Sequence, residues 1–324
     1  MPQDILQQRA STPFTAVTDD GIALQGRYWR HPEQTVERPV VIINPATAVR
    51  CRYYSRFADY LFQNGLDVVT YDYRGIGESK PNSLRGFSAG WIDWGHFDFE
   101  AVMDFVAQEF PDQPIDVVAH SVGGFVIGLA RSNHRIRRVM TVGAQYAYWR
   151  DYAPAHRIKM LLKWHLMMPL MSLPLGYFPG KRLGWLEDTP GGVVRDWVLS
   201  RPRFEDTWRG FSGRRYPGKQ DLVQRFSQMS GSTLALSFTD DEFGTVPAIH
   251  RLLAYYHGSE RTHLRIEPNT IGEHSIGHFG YFNSRFSEKL WGIALRWLRD
   301  GTVVDHSLGI VATFDPGADI PKAF

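Results

Sequence analysis

A chain of 324 residues, 43% hydrophobic and 14% aromatic, is long enough for one large α/β domain with an insertion or for two ordinary domains, and apolar enough for a sizeable core. Its formal net charge of +2 gives no overall footprint for nucleic acid, and the single cysteine, Cys51, excludes an intrachain disulfide and fits a reducing compartment. Residues 1–15 lack the apolar core of a signal peptide, and no run approaches the roughly 20 apolar residues that cross a bilayer, so the expectation is a soluble cytoplasmic protein without integral membrane contact.

Residues 1–13 read as irregular. Two β-prone runs, 14–17 and 22–29, flank Asp19-Asp20-Gly21, which predicts an antiparallel hairpin. The polar stretch 31–38 is a loop. Val40-Val41-Ile42-Ile43 is a continuous β-branched run, the pattern of a strand covered on both faces. Residues 44–52 form a loop, 53–63 a helix that stops at Gly65, and 66–71 a second buried strand.

Asp72-Tyr73-Arg74-Gly75-Ile76-Gly77-Glu78-Ser79 comes after that strand. Two glycines here raise the idea of a phosphate loop, but Lys80 stands where the dinucleotide fingerprint needs glycine and no helix pattern opens. The segment is read as a structural turn. Residues 81–95 are a Gly- and Ser-rich loop holding Trp91 and Trp94. Phe99, Val102, Phe105, Val106 and Phe110 recur at helical spacing over 97–110, and Pro111 ends that helix.

Next comes the stretch with the clearest chemistry. Ile115-Asp116-Val117-Val118-Ala119-His120 runs into Ser121-Val122-Gly123-Gly124, and a helix-like segment continues from Phe125. Strand, tight small-residue turn and helix together are the context of a nucleophile elbow. The strained turn projects the serine hydroxyl, and the helix amides point at developing negative charge. Residues 137–143 read as one more strand. Strands alternating with helices at this interval predict βαβ units and a mostly parallel sheet.

From 145 to about 230 that alternation stops. Met160, Leu161, Leu162, Trp164, Leu166, Met167, Met168, Leu170 and Met171 form an apolar run broken by Pro169 and Pro174, with Trp185, Trp197 and Trp208 beyond it. Residues 146–230 hold 14 Lys/Arg against 7 Asp/Glu, a local charge of about +7. The segment is expected to be an inserted helical cap, dividing the core into 1–144 and 231–300. Its apolar run has three readings: cap core, pocket lining, or a membrane-surface segment. The sheet resumes at 233–238, succeeded by Thr239-Asp240-Asp241-Glu242-Phe243. A helix over 247–256, a last strand over 262–266, a loop with His274 and His278, and a closing helix around 291–298 come after it. Residues 301–324 show no strong period and read as a tail.

A serine hydroxyl needs a base to remove its proton, and the base needs a partner to hold its tautomer. Ser121, then Asp240 or Asp241 after a strand, then His278 after the next, come in the chain order of the α/β-hydrolase arrangement. The chain resembles the α/β-hydrolase superfamily over roughly residues 15–300, cap insertion included, in the manner of its esterases, lipases and aminopeptidases. The resemblance rests on Asp72-Tyr73-Arg74-Gly75-x-Gly77-x-Ser79, on Ala119-His120-Ser121-Val122-Gly123-Gly124, and on Gly277-His278-Phe279-Gly280. Two departures stand out: Asn44-Pro45 replaces the usual His-Gly pair after the third strand, and a pair of aspartates replaces one.

The resemblance implies Ser121 as nucleophile, His278 as base and an aspartate as its partner. That acid sits three residues past its strand, which favours Asp241 with Asp240 as alternative, on the expectation that the strand starts at Thr233. His274 and His278, four apart, could be a metal pair on a helix, but Gly272 and Gly277 speak against one and a third ligand is missing. His120 is read as structural and Cys51 as a thiol without a catalytic role. The oxyanion hole is expected from the amides of Val122 and of Ala46 or Thr47. The implied activity is ester hydrolysis on a small molecule with an apolar acyl or aryl part, with no cofactor, metal or nucleic acid. Acyl transfer, aminopeptidase or amidase action, and a non-catalytic binding scaffold are the alternatives.

Overall fold

A computed structural model describes residues 11–33, 35–207, 218–302 and 306–320. Trp208 and residues 1–10 fall outside them. Nine strands form one sheet: β1 (Thr12–Val17), β2 (Ala23–Trp29), β3 (Val40–Asn44), β4 (Asp67–Tyr71), β5 (Ile115–His120), β6 (Ile136–Val142), β9 (Ser232–Phe238), β10 (Arg261–Ile266) and β11 (Gly309–Phe314), with a small separate pair β7 (Tyr177–Phe178) and β8 (Thr189–Pro190). Their order across the sheet is β1-β2-β4-β3-β5-β6-β9-β10-β11. From β4 to β10 every neighbour is parallel, while β1, β2 and β11 are antiparallel at the edges. This is the mostly parallel, helix-flanked α/β-hydrolase arrangement that the sequence implies.

The buried β-branched runs explain the centre. Every residue of β3, β4 and β5 is buried, and side chains alternate between the two faces. Val41, Ile43, Val68, Val118 and Met140 join one apolar cluster, with the helix α1 (Ser55–Gln63). Ile42, Val69, Val117 and Val139 join the other, together with α2 (Glu100–Glu109) and α3 (Val122–Gly128).

The segment between β6 and β9 is largely helical where described. It holds α4, a continuous run over 157–172, then α5 (Gly191–Leu199) and α6 (Lys219–Gln228). Pro169 has no amide to donate to the carbonyl four residues back, and the turns before it widen into a π-helical stretch over Leu161–Met167. Met160, Trp164, Met168, Val194, Trp197 and Phe204 belong to the same cluster as Phe125 on α3, so this segment shares the core of one sheet face.

Two expectations change. Residues 309–314, read as part of an aperiodic tail, form β11 against β10. That strand is half exposed, so its alternation is weak in sequence. The buried Arg261 pins the chain beyond β11, donating to the carbonyls of Asp315 (2.5 Å) and Ala318 (2.9 Å). Second, β9 begins at Ser232 instead of Thr233, because Ser232 pairs with Arg138 of β6. Its end at Phe238 still leaves Asp241 three residues beyond.

Candidate active site

The elbow closes because its neighbours leave room for nothing larger. Ser121 adopts φ +54°, a positive value that costs a non-glycine residue strain. Its amide donates to Val142 O of the adjacent strand (3.0 Å), and its carbonyl accepts from Gly124 N (3.1 Å). A Cβ on Gly123 would lie 2.6 Å from Asn44 O, and one on Gly124 would lie 2.6 Å from the Ala144 methyl. The small residues after the serine are therefore a steric requirement of the packed strand ends.

Both aspartates have work, and it differs. Asp241 Oδ2 lies 2.8 Å from His278 Nδ1, while its Oδ1 accepts from the amides of Phe243 and Gly244, both at 2.8 Å. Burial alone would push this carboxyl up. The adjacent His278 imidazole, its hydrogen bond and the two amides outweigh that and hold Asp241 below the usual carboxylate range. Asp240 Oδ2 instead accepts from Ser275 Oγ (2.9 Å), Ile276 N (2.8 Å) and Gly277 N (3.0 Å). It fastens the loop that presents the histidine. His274 is exposed and away from this contact, and no group of three His, Cys, Asp or Glu side chains able to hold a metal occurs among the described residues.

His120 is fully buried, and its bonding fixes its tautomer. Its Nε2 lies 2.9 Å from His278 O, an acceptor only, so Nε2 carries the proton. Nδ1 then accepts from Tyr54 Oη (2.8 Å), and Tyr54 Oη accepts from Ala46 N (3.0 Å). Burial, with the neighbouring His278, lowers the His120 pKa to about 3 and keeps it neutral. A directional chain thus ties the loop after β3 to the histidine loop through the residue beside the nucleophile.

That chain corrects one expectation. The Ala46 amide is already committed to Tyr54, which removes it as an oxyanion donor. Thr47 N has no hydrogen-bond acceptor among the described residues, and Thr47, like Val122, lines the cavity above Ser121. Val122 opens α3, so its amide is one of those a helix leaves without an internal partner. The departure at Asn44 is also explained: Asn44 Nδ2 donates to Gly123 O (2.8 Å) and its Oδ1 accepts from Tyr71 Oη, so it braces the elbow itself.

Gln145 was not singled out in the sequence. Its Oε1 accepts from Ala147 N, which fixes the amide orientation and turns Nε2 toward Ser121 Oγ at 3.4 Å. Ser121 accepts that bond, leaving its own proton free for a base. Among the described residues Ser121 makes no hydrogen bond to His278, although both face one cavity. Gly143 and Ala147, flanking this segment, both have positive φ. A Cβ on Gly143 would meet Asp241 Oδ2 at 2.8 Å and His278 Nδ1 at 3.1 Å. The remaining candidates are structural. Cys51 is buried and its thiol pushed far up by burial, then by Asp72. Asp72 itself binds Cys51 N (2.6 Å) and Glu78 N (2.9 Å), so the two-glycine segment is a turn.

The cavity measures about 150 Å³. Ala46, Thr47, Ser121, Val122 and His278 line it from the strand-end loops, Lys163, Trp164, Trp185, Leu186 and Trp197 line it from the segment between β6 and β9, and Gln145, Glu242 and Phe243 line it as well. Trp164 stacks on Trp197 (4.9 Å between centroids), and Lys163 Nζ sits 4.5 Å from the Trp164 ring and 4.6 Å from that of Trp185.

Comparisons with known proteins agree on the fold. The esterase Pf2001 of Pyrococcus furiosus is 14% identical, with 92% of this chain and 93% of that one covered and a TM-score of 0.55. XC6422 from Xanthomonas campestris, described as an a/b serine hydrolase without lid, is 15% identical over 91% and 96%, with a TM-score of 0.50. No curated protein sequence matches significantly. A family model described as serine aminopeptidase, S33 matches residues 35–204, just over half of the sequence. On that match the chain belongs to the S33 serine aminopeptidase family of the α/β-hydrolases.

Proposed function

We propose that the protein is a serine hydrolase that cleaves carboxylic esters of small molecules through an acyl-enzyme. In this reading Ser121 Oγ attacks the acyl carbon while His278 Nε2 takes its proton, and Asp241 holds the opposite ring nitrogen. The amides of Val122 and Thr47 receive the oxyanion. His278 then returns the proton to the leaving alcohol, and a water repeats the sequence to free the acid. The insertion serves as a cap whose indoles shield the acyl group from water. The observation that supports this most is the 2.8 Å Asp241–His278 contact beside the cavity into which the strained elbow turns Ser121.

Aminopeptidase action is the second reading, favoured by the family's description and by the Glu242 carboxylate in the cavity wall, which a free amine could meet. A panel of aryl esters, thioesters and aminoacyl arylamides, with a competing acyl acceptor present, separates ester hydrolysis, amide hydrolysis and acyl transfer. A fluorophosphonate probe is expected to label Ser121. Ser121→Ala should abolish labelling and lower turnover on the order of 10⁴-fold. Equal labelling of the variant would leave a non-catalytic binding scaffold as the reading.

A further inference from the structure

The helical run α4 has a second apolar face, and it points outward. Ile158 is 74% exposed, Leu162 50%, Leu166 48%, Leu170 53% and Leu173 76%, at spacings of four, four, four and three; Met167, at 44%, lies beside them. These six are half of the twelve large hydrophobic side chains that the described residues leave exposed. Met160, Trp164, Met168 and Ser172 fill the buried face of the same run. Single exposed leucines are ordinary, but a contiguous stripe of them marks a contact surface.

Along the chain, the segment that carries the stripe has charge of one sign, and the first carboxylate beyond Glu187, Asp188, is paired with Lys80. Between Asp151 and Glu187 there is no acidic residue, while Arg157, Lys159, Lys163, Lys181 and Arg182 are all basic. Lys159, Lys181 and Arg182 are exposed. A second copy docking through this face would set the patch against itself, bringing those cations together. An acidic, apolar surface answers both features at once. We propose that this helix docks the protein onto anionic lipid bilayers, with the Ile158–Leu173 stripe entering the headgroup boundary and the exposed Lys159, Lys181 and Arg182 meeting lipid phosphates. Lys163 and Trp164 of the same helix line the cavity, so docking would set the cavity's cap side next to the membrane surface.

The test uses the full chain with extruded vesicles, either pure phosphatidylcholine or phosphatidylcholine with about 30% phosphatidylglycerol, read by co-sedimentation. Binding is expected to the anionic vesicles, at least tenfold weaker to the neutral ones, and weakened by about 0.5 M salt. L166S combined with L170S should lower binding more than tenfold. Neither side chain lines the cavity, so the variant should keep its melting temperature and its activity on a water-soluble ester. K159Q and K181Q should each weaken binding about fivefold. Absence of binding by the unaltered protein, or equal binding by the double serine variant, would overturn the proposal. So would a dimer on size exclusion that the double variant dissolves while the vesicle pellet stays empty, which would assign the stripe to a second copy.

Discussion

The two walls of the cavity are held by different forces. On the sheet side each functional group is fixed by directional bonds at a strand end: Asp241 by two backbone amides and His278, the histidine loop by Asp240, the nucleophile turn by Val142 O and Asn44. On the side of the segment between β6 and β9 flat contacts predominate, Trp164 on Trp197 and a lysine over two indoles, with one directional bond from Trp197 Nε1 to Tyr152 Oη (3.0 Å). A directional bond fails as a unit when one partner is lost, whereas an aromatic wall can shift and still exclude water. Substitutions on the sheet side should therefore destroy chemistry, and those on the inserted side should change which substrate is preferred.

The aspartate pair gives the largest effect short of the nucleophile itself. Asp241→Asn should lower kcat by about 10³- to 10⁴-fold, because the amide no longer holds the protonated Nδ1 tautomer. Asp240→Asn keeps an acceptor for the Ile276 and Gly277 amides and should cost about tenfold or less. Steady-state kinetics of both on one aryl ester checks this. Comparable losses would mean that the histidine loop depends on the charge of Asp240 as much as His278 depends on that of Asp241.

The same contrast decides what was legible in the sequence. Strand-end residues were legible because a buried β-branched run fixes where a strand stops, and chain order then places Ser121, Asp241 and His278. The direction of individual backbone amides was not, since the engagement of Ala46 N by Tyr54 depends on a helical turn further along the chain folding back against β5. Gln145 was invisible for a similar reason: its aim comes from two positive-φ positions around it, and nothing in the residue types announces them. β11 was missed because an edge strand buries too little to impose a period. The segment between β6 and β9 stands apart by composition alone, and its internal packing, with Trp164 buried and Leu166 exposed, is not legible in a run whose apolar residues follow one another so closely.

The inserted wall should govern acyl preference. A cavity of about 150 Å³ is near the size that holds one benzene ring. From acetyl upward, kcat/KM should rise by up to about threefold to fourfold per buried methylene and level off at roughly four to six carbons. Trp164→Ala should move that plateau to longer chains while leaving kcat on the acetyl ester within a few-fold. A series of p-nitrophenyl esters measures both. If Trp164→Ala instead abolished turnover on every ester, the inserted wall would be holding the chemistry too, and the contrast between the walls would fail.

The smallest expected effect is on stability, and it belongs to the sheet side. His120 and His263 are buried with pKa values lowered to about 3, in each case first by burial and then by a neighbouring histidine, His278 for one and His250 for the other. Free histidine titrates near about 6.5. Between those values the unfolded chain takes up protons that the folded chain refuses, so stability rises with pH across the window. The contribution is fully present above about pH 6.5 and is lost progressively as the pH falls toward about 3. The melting temperature should accordingly drop by several degrees between about pH 7.5 and about pH 5, before the ordinary carboxylates begin to protonate. His263→Gln keeps a polar partner for Ser237 Oγ, which lies 2.7 Å from His263 Nε2. That variant should be less stable at neutral pH yet lose fewer degrees on acidification. An unchanged slope in the variant would place the acid sensitivity elsewhere, at His96, whose pKa burial and then Arg225 lower to about 4, or at the half-buried His165.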